Sequence, residues 1–254
     1  MHSLRFSLFL LAVLPLCAQP KAYRAPRTPD GKPDLQGIWE AHTTAYGNLE
    51  AHGASLGIRA GESVIVDPPD GKIPYRPEAA AKQKENFKKR ASLDKLNQCF
   101  LPGVPRISYL PYPFQIFQTP EFVAILYEFA HASRTIPLNR PQHMEGIDFW
   151  MGDSRGRWDG ETLVVDVADN NPDTWLDASG NFHGAEMHVV ERYTRTGPDT
   201  LQYEATIEDS KVFTKPFTIR VPLYRHTEAN AQLYEYECHV YLDESANGGP
   251  NAGK

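Results

Sequence analysis

The stretch RGRWDGETLVVDV, residues 155–167, constrains the fold more than any other. Two β-rich runs flank Asp159-Gly160, a pair that tolerates positive φ and so predicts a two-residue hairpin turn. The same strand-turn-strand pattern recurs along the chain. FQIFQTPEFVAILYEF (114–129) turns around Thr119-Pro120-Glu121, and MHVVERYTRTGPDTLQYEATIED (187–209) turns near Gly197-Pro198-Asp199. DLQGIWEAH (34–42) reads as a first strand, while KPFTIRVPLYR (215–225) and AQLYEYECHVYL (231–242) read as a last pair. Pro216 and Pro222 mark edge or bulge positions in that pair. One helix is expected, opened by Pro77 and running to about Ala91. Successive hairpins with a single helix predict a mainly β fold, an antiparallel up-and-down, lipocalin-like barrel or a strongly curled sheet.

Both ends of the chain set the expected organisation. MHSLRFSLFLLAVLPLCAQP has a positive start at Arg5, a short apolar run, a breaking proline and Ala18 at a cleavage position, which reads as a signal peptide over 1–18. An extended arm (19–34), one barrel-like domain (35–245) and a flexible tail (246–254) follow. Export to the periplasm or the medium is therefore expected, with no membrane segment after cleavage. Once the signal is removed Cys99 and Cys238 remain, an even pair in an oxidising compartment, and a bridge between them is expected.

Composition narrows the partners. The net charge is -6, and the one basic cluster, Lys82 to Arg90, lies in the expected exposed helix. Nucleic acid binding needs clustered Lys and Arg, so it is not expected. A small-molecule ligand or substrate is. The chain has no glycine-rich phosphate loop, no nucleophile elbow, and neither HExxH nor paired CxxC spacing.

The candidate chemistry gathers in TWLDASGNFHGAEMHVVERY (174–193) and its hairpin partner. A turn centred on Pro198 makes partner numbers sum to 396, which pairs His188 with Glu208, Arg192 with Glu204 and Tyr193 with Tyr203. As a plain amphipathic hairpin these pairs would be a salt-bridged solvent face. As a site, His188 or His183 would be the acid or base. Glu208, Glu191 or Asp177 would orient it, and Arg192 would steady negative charge. Trp175, Trp158, His143, Glu204 and Tyr193 are candidate substrate contacts. A metal is not expected, because His188 and Glu191 leave an extended strand on opposite faces.

WMGDSRGRWDGETLVVDV, TWLDASGNFH, MHVVERYTR, YEATIED, FTKPFT, RTPDGKPDLQGIW and PGVPR together resemble a widespread family of exported bacterial proteins. The resemblance covers most of the chain after the signal and takes in His143, Trp158, Trp175, Asp177, His183, His188, Glu191 and Arg192. It implies export but no particular reaction. Three functions stay open: a cofactor-free acid–base lyase, isomerase or hydrolase acting on an aromatic or carbohydrate-like compound; a lipocalin-like binding protein; and a metal-dependent hydrolase.

Overall fold

The computed structural model describes residues 23–55, 58–144 and 146–238. The expected signal peptide and the expected tail lie outside these residues. Nine strands form one antiparallel path: β5 (Ser133–Pro137), β4 (Phe122–Tyr127), β3 (Phe114–Gln118), β1 (Gly37–Ala41), β10 (Phe217–Arg225), β9 (Thr200–Glu208), β8 (His188–Arg195), β7 (Thr162–Ala168) and β6 (Asp153–Asp159). The short β2 (Ile65–Asp67) pairs with β10 off this path. Two meanders, β3–β5 and β6–β10, are thus joined by β1, and the sheet curls into a nearly closed barrel.

The two end strands, β5 and β6, meet by side-chain packing. Gly156 allows the approach, since a Cβ there would stand 2.7 Å from both Ile136 and Leu138 side chains. Arg134 on β5 reaches across to β6, its Nε donating to Ser154 Oγ at 2.8 Å. The barrel interior is filled by Trp39, Phe114, Tyr193, Tyr203, Phe217 and aliphatic residues from alternate positions of each strand. That alternation is clean in β8, where Val189, Glu191, Tyr193 and Arg195 are buried and the residues between them are not.

Local sequence explains the joins. The β6–β7 turn consists of Gly160 and Glu161, one residue later than expected, with Gly160 at φ 59° taking the conformation that favours glycine. The β8–β9 hairpin has the register expected from Pro198, including His188 opposite Glu208. Pro222 sits inside β10, between the residues paired with β2 and those paired with β1. On that side no strand stands opposite it, so the missing N–H breaks no ladder.

The helix α1 (Pro77–Leu93) starts at Pro77 and lies against the 174–184 loop, with Asn86 Nδ2 donating to Gly180 O. Gly180, at φ 79°, is pressed under it; a Cβ would stand 2.8 Å from Asn86 Cβ. Within the expected arm, Arg27 and Pro33 pair across a turn.

One expected element differs. Residues 231–237 form no strand. Both long edges of β10 are already taken by β9 and β1, so no free edge awaits a partner there. The segment instead packs Tyr236 against Tyr112 and Phe129 and ends at Cys238, which is joined to Cys99 by a disulfide. The bridge closes a long loop, a constraint worth several kcal/mol (roughly 4–5) in the chain-entropy picture.

Candidate functional site

Four neighbouring strands carry one residue each into a cluster on the outer face of the barrel. These are Asp153 on β6, Asp166 on β7, His188 on β8 and Glu208 on β9. His143, from the loop residues that precede β6, lies over them. The ring of His188 lies between two carboxylates, with Nε2 at 2.8 Å from Asp166 Oδ1 and Nδ1 at 2.8 Å from Glu208 Oε1. His143 is held likewise, Nε2 at 2.9 Å from the same Asp166 oxygen and Nδ1 at 3.1 Å from Asp153 Oδ2. The Met144 N–H donates to Asp153 Oδ2, and Arg155 pairs with Asp153 Oδ1. Adjacent strands are about 4.8 Å apart, so side chains near one level of four antiparallel strands meet without help from loops.

Burial and charge act against each other at His188. Partial burial pushes its pKa down, but hydrogen bonds to Asp166 and Glu208, together with their charges, more than offset this and raise it above the ordinary 6.5. A ring that serves two carboxylates needs an N–H on each nitrogen, so the geometry and the raised pKa both describe an imidazolium. His188 and Glu208 also line a cleft of about 410 Å³ with Arg76, Glu186, Phe213 and Lys215.

The remaining candidates divide between the core and other parts of the surface. Glu191 points into the barrel, fully buried and ion-paired with the equally buried Arg134. The hydroxyls of Tyr203 and Tyr193 donate to Glu191 Oε1 at 2.8 and 3.1 Å. This network fastens the β5–β6 seam from inside, and Tyr193 belongs to it rather than to a ligand surface. Arg192 shares the outer face with His188 but lies four residues along the strand, paired with Asp159 at 3.3 Å. Glu204, opposite Arg192, accepts from Arg220 Nε at 2.6 Å. Trp158 packs partly buried against the core.

The 174–184 loop is a buried cap. Asp177 accepts hydrogen bonds from the Leu49 and Ser179 backbone and from Asn181 Nδ2, and its complete burial raises its pKa to about 6. Trp175 is buried and bridges to Phe182. His183 is buried too, which drives its pKa down to about 4. Its Nδ1 lies 2.8 Å from Gly184 O, and a carbonyl can only accept, so that nitrogen carries the proton of the neutral ring. Nε2 faces Thr174 Oγ1 at 2.8 Å. Such a ring is a poor proton donor at neutral pH and has no free nitrogen.

Sequence reasoning did not single out Asp166, Asp153 or Arg134. Asp166 had a usable signal: in TLVVDV the apolar Leu163, Val165 and Val167 alternate inward, which leaves Asp166 outward beside the strand that carries His188. His143 and Asp153 meet only because a long loop folds back, and spacing carries no signal of that.

A second cleft, of about 560 Å³, lies between α1 and residues 46–55 with Ile58. Its floor includes the buried, two-pronged Arg106–Asp94 pair, with contacts of 2.9 and 2.8 Å. A barrel that carries a His/Asp cluster beside a cleft is compatible with ligand binding or with catalysis. No protein-family model matches this chain, and no curated protein matches it.

Proposed function

We propose that the protein is an exported small-molecule enzyme that performs acid–base chemistry, as a lyase, isomerase or hydrolase, at the outer-face cleft. The observation that carries this reading is the His188 ring, held 2.8 Å from each of two carboxylates, one of which, Glu208, lines the cleft with it. Asp166 holds the ring from behind at Nε2. Glu208 is the group that meets the substrate: its carboxylate takes a proton from the substrate and returns it in the second half of the reaction, and the Nδ1–H of His188 holds that carboxylate in place. Arg76 and Lys215 supply positive charge and Phe213 an apolar wall. The cleft therefore suits a small compound with an anionic group and an aromatic or carbohydrate-like body. Side chains carry the proton transfers.

Export is part of the proposal. A signal-like N-terminus and the resemblance to exported bacterial proteins support it, and the Cys99–Cys238 bridge fits an oxidising compartment. Among the described residues no helix is long and apolar enough to cross a membrane.

One observation favours a second reading, a binding protein without catalysis. The larger cleft beside α1 is lined by Tyr46, Ile58, Phe87, Leu96 and Leu110, and its volume suits a small apolar ligand. The two readings separate in one experiment. Wild type, Glu208→Gln and His188→Gln are assayed against small aromatic and sugar-derived carboxylic acids. The enzyme reading expects turnover that falls by roughly 10²–10⁴-fold in both variants, the usual contribution of a positioned acid or base. Turnover indifferent to both substitutions contradicts it, as does binding at the α1 cleft with no turnover of any compound.

A further inference from the structure

We propose that His143, Asp153 and Asp169 form a binding site for one divalent transition-metal ion, zinc being the best match. One ligand atom from each residue lies within 4.8 Å of the other two. Donors about 2.0–2.2 Å from a single zinc ion stand at most about 4.4 Å apart, so small side-chain rotations complete the site. His143 lies between β5 and β6, outside any strand, where such a rotation disturbs no ladder.

The second observation concerns the acceptors. Asp169 Oδ2 is fully buried and has no hydrogen-bond partner. Burying a carboxylate oxygen without a donor is costly, and native structures rarely leave one so. The next residue repeats the pattern: Asn170 is 1% exposed, and its Oδ1 is also buried and unpartnered. That oxygen lies against Gly152, the residue before Asp153, where a Cβ would stand only 2.5 Å away. Two consecutive residues thus carry buried oxygens with no donor, one in the His143–Asp153–Asp169 group and the other against Gly152. A cation answers that arrangement.

The surrounding bonds already aim the ligands. His143 Nε2–H donates to Asp166 Oδ1 at 2.9 Å, and Nδ1, which faces Asp153, gives up its proton when the metal takes its place. This is the carboxylate–histidine arrangement that fixes the orientation of a ligating imidazole. The Met144 N–H and Arg155 hold the two oxygens of Asp153. One imidazole nitrogen with two carboxylates suits zinc better than calcium or magnesium, which prefer oxygen alone. A quarter of the His143 side chain is exposed, so solvent can complete the coordination.

This site goes beyond the acid–base reading, because neither His188 nor Glu208 is a ligand. His183, His188 and Glu191 share no such site: they diverge into the cap, the outer face and the core.

The test is zinc binding by chelator-treated protein, followed by calorimetry and by elemental analysis after dialysis, in wild type, His143→Ala, Asp169→Asn and His188→Ala. The expected result is one zinc per chain in wild type and in His188→Ala, with affinity at least about tenfold weaker in the other two. Cobalt should give a visible absorption band in wild type that is lost in His143→Ala. Because His143 lies on a surface loop, that variant keeps the test valid if Asp169→Asn does not fold. No stoichiometric zinc in wild type, or equal binding in wild type and His143→Ala, overturns the proposal.

Discussion

Strand β8 presents two histidine or carboxylate groups three residues apart, and they meet opposite fates. Glu191 turns inward, is sealed from water and is matched by Arg134 and two tyrosine hydroxyls. His188 turns outward, keeps a third of its side chain in solvent, and is shared by Asp166 and Glu208 beside a cleft. The inner network can exchange nothing with a ligand, so its role is to fasten the barrel seam. The outer one can exchange protons. Burial, more than residue type, separates structural from chemical polar groups here. The two histidines repeat the lesson: His183 is driven down to about 4 by burial in the cap, while His188 is raised by its carboxylates.

The largest effect should come from breaking the inner network. Glu191→Ala strands the Arg134 charge in the core and should cost about 3–5 kcal/mol in urea denaturation. Replacing the pair together, Arg134→Met with Glu191→Leu, should recover much of that loss. A Glu191→Ala cost near zero would show that the network does not hold the seam.

Next in size is the acid response of the cap. The folded pKa of His183, about 4, lies below its ordinary 6.5. Its contribution is therefore present above pH 6.5 and lost as pH falls through 4, amounting to about 3 kcal/mol at the bottom of that window. Asp177 works in the opposite sense: its pKa is raised from 3.8 to about 6, so its contribution is present below 3.8 and lost as pH rises through 6. The two largely offset each other in wild type between pH 4 and 6. In His183→Asn the Asp177 slope should stand alone, and stability should fall as pH rises from 4 to 6. A pH profile unchanged from wild type would contradict the buried, neutral state of His183.

Much of the frame is legible in the sequence. Period-two alternation and a turn at Pro198 fix strand register, because one slip would carry every apolar residue to the wrong face. His188 therefore meets Glu208 in the way the turn dictates. The inward direction was harder to read, since Val190 points outward and Glu191 inward; Glu191 is tolerated there only because Arg134, 57 residues away, crosses the seam to meet it. Asp177 and His183 are candidate acid–base groups by residue type, but α1 and the Leu49 loop cover the segment that carries them. Long-range packing of that kind leaves no local pattern in the chain.

The smallest effect on stability belongs to the outer face. His188→Gln should change stability by no more than about 1 kcal/mol, as half-exposed ion pairs do. With a raised folded pKa, the contribution of His188 is present below 6.5 and lost as pH rises through the folded value. Proton transfer at the cleft should nevertheless collapse in this variant. A melting-temperature comparison at pH 6 and pH 9 checks the sign: wild type should exceed His188→Gln at the lower pH by more than at the higher.

The most direct test of the outer-face assignment is an NMR titration of the histidine rings in wild type and in Glu208→Gln. His188 should titrate above 6.5 in wild type and move downward once Glu208 is neutralised, while His183 stays neutral until about pH 4. A His188 midpoint at or below 6.5 that ignores the Glu208 substitution would contradict the account, because the ring would then not be the proton-holding partner of the cleft carboxylate.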